Sequence, residues 1–164
     1  MALFLSVIRS TINSEVILRS IMNKKAREKA RTFGIQALYQ WHYNPVALSE
    51  LEAEFQARND YHQHVDWDFF HDILSAVMDN LPAMDEAIIE AAQRPLKEMN
   101  PTELAILRAA SAELKMRLDV PYQVVLSEYV DLTASFGATD AHSFVNAVLD
   151  RLSQHYRNLE RSAP

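Results

Sequence analysis

Along most of the 164-residue chain the apolar positions recur at intervals of three and four, the spacing that lines one face of an α-helix. Ala30, Phe33, Gly34, Ala37, Leu38 and Trp41 form such a stripe after Asn23 and end before the "NP" at 44–45. Gly34 lies on that stripe, where it costs helix stability but is expected to let another helix approach closely. Ser49 and Glu52 have the spacing of a capping box for a short helix carrying Leu51 and Phe55. Asp66 is placed to cap a third helix, in which Phe70, Ile73, Leu74, Val77, Met78 and Leu81 make the most regular amphipathic stripe. Pro82 kinks or restarts that helix. Asn100, Pro101 and Glu103 supply a cap, a first-turn proline and an N3 acid for "LAILRAASAELKMRL". This segment is apolar almost all round, which predicts a helix at the centre of a bundle. Val120 and Pro121 break the chain again, and a helix from about Tyr122 to Phe136 ends on Gly137, suited to a left-handed C′ position. Thr139 or Asp140 caps the last helix, whose face is Ala141, Val145, Val148, Leu149, Leu152 and Tyr156. With no strand-period segment and no internal repeat, the pattern predicts about seven helices in one all-α domain.

The first 21 residues carry no clear helical stripe. They are read as an N-terminal extension ahead of Met22, outside a core domain of 22–159, with 160–164 as a short tail. Their apolar run "MALFLSVI" is broken by Arg9, too soon to cross a bilayer, and lacks the basic flank and cleavage site of a secretory signal.

Nearly half the residues are apolar, enough for a real core. The absence of Cys excludes a disulfide framework, thiolate zinc sites and thiol nucleophiles, and fits a cytoplasmic location. Two glycines, Gly34 and Gly137, are too few for a phosphate-cradling loop, so an ATPase or a dehydrogenase is excluded. No serine sits in an elbow motif, and no enzyme activity or cofactor is expected. "HQHVDWDFFHD" gathers His62, His64 and His71 with Asp66, Asp68 and Asp72, side chains that suit a divalent ion. Their spacing matches no ligand motif, and the acids already suit a helix N-terminus, so the stretch is read as a solvated acidic loop without metal.

Charge adds the one feature that hydropathy does not carry. "NKKAREKAR", residues 23–31, holds five cationic side chains and one acid, whereas the rest of the chain has 11 Lys and Arg against 21 Asp and Glu. On a helix, Lys24, Arg27 and Arg31 share one face and Lys25 and Lys29 a neighbouring one. Glu28 pairing with Lys24 would make this a solvated first turn. Cations near a helix start oppose the dipole, however, and the cluster stands out from an acidic chain, which favours contact with nucleic-acid phosphates.

The residues become specific in "DVPYQVVLSEYVDLTASFGATDAHSFVNAVLDRL", 119–152, which strongly resembles the NusB family of transcription antitermination factors. "MNPTELAILRAASAEL" resembles that family's buried central helix and "AREKARTFGIQALYQW" its Arg-rich opening helix, so the resemblance spans about 23–157. It implies two small helical bundles sharing a core and a non-enzymatic role. Such proteins pair with the NusE ribosomal protein, bind boxA-type single-stranded RNA in nascent ribosomal RNA transcripts, and join other Nus factors in an RNA polymerase antitermination complex. Carried over by position, the resemblance implies RNA contact by Arg27, Lys29 and Arg31, with Lys24 and Lys25 adding charge and Asp140 and Phe144 supplying an acceptor and a stacking ring. Glu28 and Ser143 stand where some members are basic. Tyr39 and Glu103 fall at the family's partner-protein surface. Core packing for Phe144, burial for Tyr39 and N3 capping for Glu103 are the structural alternatives. Two other readings compete: the NusB-like RNA-recruiting domain of a ribosomal RNA methyltransferase, and a structural helical homodimer. The former needs a following domain with a Gly-rich cofactor loop, for which the chain to Pro164 leaves no room.

Overall fold

The computed structural model describes residues 1–58, 64–136 and 141–164. Among these residues there is no strand. The chain forms α1 (Ala2–Tyr43), α2 (Leu48–Arg58), α3 (Trp67–Asp79), α4 (Leu81–Ala92), a 3₁₀ turn (Leu96–Glu98), α5 (Pro101–Met116), α6 (Tyr122–Ser135), α7 (Ala141–Tyr156) and α8 (Asn158–Ser162). No described helix is long and apolar enough to cross a membrane.

Several boundaries follow from local chemistry. The Phe69 N–H donates to Asp66 Oδ1 at 3.0 Å, capping α3, and the Thr102 N–H donates to Asn100 Oδ1 at 2.8 Å, capping α5. Asn80 separates α3 from α4, with Pro82 in the first turn of the new helix, where its missing N–H does no harm. The Ser49–Glu52 capping box does not form. Helix α2 already starts at Leu48, the Glu50 and Leu51 N–H groups donate to the Ala47 carbonyl, and Glu52 turns to His71 instead. Gly137, Thr139 and Asp140 lie outside the described residues.

Eleven consecutive residues of α5, Leu104–Leu114, are buried, so this helix is the axis of the fold. On one side it packs with α1 and α3, which α2 completes; on the other it packs with α4, α6 and α7. The two bundles share one continuous apolar core running from Ala30 and Ile35 through Phe70, Leu107 and Tyr129 to Leu152. Four charged side chains are buried with it. Arg108 pairs bidentately with Asp85 of α4 (2.9 and 2.8 Å) and Glu113 with Arg31 of α1. Arg157, 3% exposed between α7 and α8, donates to the carbonyls of Leu114, Arg117 and Val120 at 2.6, 2.8 and 2.9 Å. It thereby satisfies the open end of α5 and the turn that follows.

Helix α1 departs from the sequence expectation at its start. It continues unbroken to Ala2, because no proline and no glycine before Gly34 interrupts it, yet every residue up to Lys25 is exposed. Burial begins at Ala26.

Candidate nucleic-acid interface

The buried face of α1 begins with Ala26 and Ala30 and continues through Arg31, Gly34, Ile35 and Leu38, which leaves Lys24, Lys25, Arg27 and Lys29 off that face. Lys24 and Lys25 are exposed, with Lys24 only 3.9 Å from Glu28 in an i,i+4 pair. Lys29 is half-buried, its Nζ 4.9 Å above the Phe33 ring, so its stem is packed while its charge remains at the surface. Arg27 is also half-buried, its guanidinium 5.0 Å from the Phe69 ring and 4.0 Å from the Asp66 carboxylate.

Arg31 departs from the expected RNA-facing position. It is 2% exposed, donating from Nε and Nη2 to the two Glu113 oxygens at 2.9 and 2.6 Å, with Glu128 of α6 3.8 Å from Nη1. Burial pushes the Arg31 pKa down, but the Glu113 hydrogen bond and negative charge outweigh it and hold the guanidinium firmly charged. Burial raises the Glu128 carboxyl above its ordinary value; Arg31 opposes that shift and Glu28 adds to it. The Tyr129 hydroxyl, fully buried beside Glu113, is pushed well up by burial and by that charge.

Two surface clefts flank the line where α1 meets α6. One, about 310 Å³, runs between Lys24, Arg27, Val124 and Glu128; the other, about 440 Å³, between Lys25, Lys29, Asp131 and Ser135. Both are open to solvent and lined by cationic and acidic side chains together.

At the start of α7, Phe144 is half-buried against the core and carries the Arg94 guanidinium over its ring at 4.3 Å. Ser143 is exposed. Asp140 lies outside the described residues, as does His62. His64 is exposed, and His71 Nδ1 meets Glu52 Oε1 at 2.5 Å. Among the described residues no three His, Asp or Glu side chains are grouped to hold a metal ion. Tyr39, 42% exposed, packs edge-on to Tyr43 (5.3 Å between ring centroids), and Glu103 is half-buried in the first turn of α5.

Sequence reading missed Arg94 and the partner of Arg31. The signal for the second was present: Glu113 is the one acid within the apolar stretch of α5, and a buried carboxylate requires a cation.

An all-helical protein of two bundles around one buried helix, with a cationic edge on its opening helix, is the class these observations define. The chain belongs to the NusB family, whose model matches residues 28–154. It is 46% identical over 134 residues to the transcription antitermination protein NusB of Pseudomonas entomophila, covering 82% of this chain and 80% of that one. It is 44% identical over 137 residues to that of Alcanivorax borkumensis, covering 84% and 91%. Among solved structures, T. maritima NusB superposes with a TM-score of 0.68 at 23% identity, covering 78% of this chain and 90% of that chain. A chain from a crystal structure of antitermination factors NusB and NusE with dsRNA superposes with a TM-score of 0.68 at 22% identity, covering 79% and 96%.

Proposed function

We propose that this protein is a transcription antitermination factor. It binds boxA-type single-stranded RNA in nascent ribosomal RNA transcripts together with the NusE ribosomal protein, and acts within the RNA polymerase antitermination complex with other Nus factors. The observation that carries the reading is the lysine edge of α1, with Lys24 and Lys25 exposed and Lys29 half-buried beside them, on an otherwise acidic chain whose relatives are named for antitermination. In this reading those lysines neutralise phosphates and Arg27, steadied over Phe69, adds charge beside them. Asp140, which precedes α7 in the sequence, supplies a hydrogen-bond acceptor. Tyr39, which offers an exposed ring, and Glu103 face the partner protein. The protein works by binding and recruitment in the cytoplasm, with no catalytic step and no cofactor.

Titration with a boxA-type RNA oligonucleotide, with and without NusE and across a salt series, tests this. Neutralising three phosphates predicts a slope of log affinity against log salt of about −2, from roughly −0.7 per phosphate on a single strand. Replacing Lys24, Lys25 and Lys29 together by Ala should flatten the slope and weaken binding to every RNA. Unchanged affinity in that variant would refute the assignment.

A further inference from the structure

The contact between Arg94 and Phe144 joins the end of α4 to the start of α7. The Arg94 guanidinium carbon lies 4.3 Å from the ring centroid, the shortest cation–ring distance among the described residues. Its backbone is held from both sides. Gln93 ends α4 in the left-handed region (φ 51°), the only non-glycine residue described with positive φ, and Pro95 follows, restricting Arg94 to extended conformations. A glutamine in that conformation carries strain that a glycine would not. A second contact fixes the same corner: Arg151, two turns beyond Phe144 on α7, donates from Nη1 to the Ala91 carbonyl at 2.8 Å. The ring itself is half-buried against the core.

We propose that Arg94, rather than the Phe144 ring, is the surface on which RNA is read at this end of the molecule. Resting on the RNA-binding reading above, the inference extends it to a residue outside the basic cluster. With the ring half in the core and covered by the guanidinium, a base arriving at α7 meets the plane of Arg94. The ring beneath the guanidinium is its support. Arginine suits this position because its guanidinium stacks on an aromatic face and on a base at once, while its N–H groups reach a neighbouring phosphate. Lysine can supply the charge but not the plane. Phe144 is then a positioning residue, and the strained turn at Gln93 together with the Arg151 tether pre-organises the pair.

The test is a salt-series titration of a boxA-type single-stranded RNA, with NusE present throughout, using the wild-type chain, Arg94→Gln, Arg94→Lys, Phe144→Leu and the Arg94→Gln/Phe144→Leu double variant. Arg94→Gln should lose about tenfold in affinity and shallow the salt slope by about 0.7. Arg94→Lys should keep the slope and still bind several-fold more weakly. The double variant should bind no more weakly than Arg94→Gln alone, because the ring acts through the arginine. Thermal melts of the two Arg94 variants should stay at the wild-type midpoint, which separates recognition from folding. Wild-type affinity and slope in Arg94→Gln, or wild-type affinity in Arg94→Lys, would overturn the inference while leaving the antitermination reading intact if the lysine variant is impaired. A wild-type chain that binds no RNA overturns both.

Discussion

Arg27 and Arg31 are one helical turn apart, chemically identical and both over the Phe69 ring, yet Arg27 stays half-exposed and Arg31 is sealed against Glu113. The difference lies in what α1 rests on: residue 31 projects into the contact with α5, where a buried carboxylate waits. Removing one member of a buried pair leaves the other charge without compensation, so Arg31→Ala should destabilise the fold by about 3–5 kcal/mol, measured by denaturant unfolding. Any loss of RNA binding in that variant should track the loss of folded protein. Asp119 makes a weaker, exposed pair. Its carboxylate accepts two hydrogen bonds from Arg117 at 2.9 Å, which lowers its pKa from 3.8 to about 2. Because the folded value lies below the unfolded one, the stabilisation is complete above about pH 4 and is lost as pH falls towards 2. Asp119→Asn should therefore make the melting midpoint less sensitive to pH across that window. The effect should be small and should shrink with salt, since the Asp119 side chain is 57% exposed.

The helices that local chemistry defines completely were legible as such. Asp66 and Asn100 cap α3 and α5 because a side-chain cap needs only its own residue and one or two N–H groups just ahead in the chain. The Ser49 cap failed because Val46 and Leu48 pack against the core and bring the chain into helical geometry before Ser49 is reached. The sequence predicts a close helix approach at Gly34, but a Cβ built there meets Ile73 Cγ2 at 3.7 Å, an ordinary van der Waals contact. The helix keeps a flexible residue that packing does not require. Gly34→Ala should stabilise the protein by about 0.5–1 kcal/mol, seen as a higher denaturant midpoint with an unchanged m-value.

The whole molecule is organised by α5, and residues distant in sequence meet across it. Arg157 binds carbonyls about 40 positions away, so the C-terminal turn locks the centre of the fold rather than trailing from it. The opposite holds at the N-terminus. Residues 1–25 of α1 are exposed, and the family match begins only at residue 28. A chain starting at Met22 should keep the thermal midpoint and RNA affinity of the full chain; a marked loss of either would place the extension in the working fold. From sequence alone came the all-helical class, the central buried helix and the cationic cluster, because helical periodicity, capping and charge are written within a few residues of one another. Tertiary structure alone decided which of those cations remain at the surface, that Arg31 belongs to Glu113, and that Arg94 lies on Phe144. Those outcomes depend on which helix faces which across the core, and the energy of a buried charge is set by a partner 82 residues away.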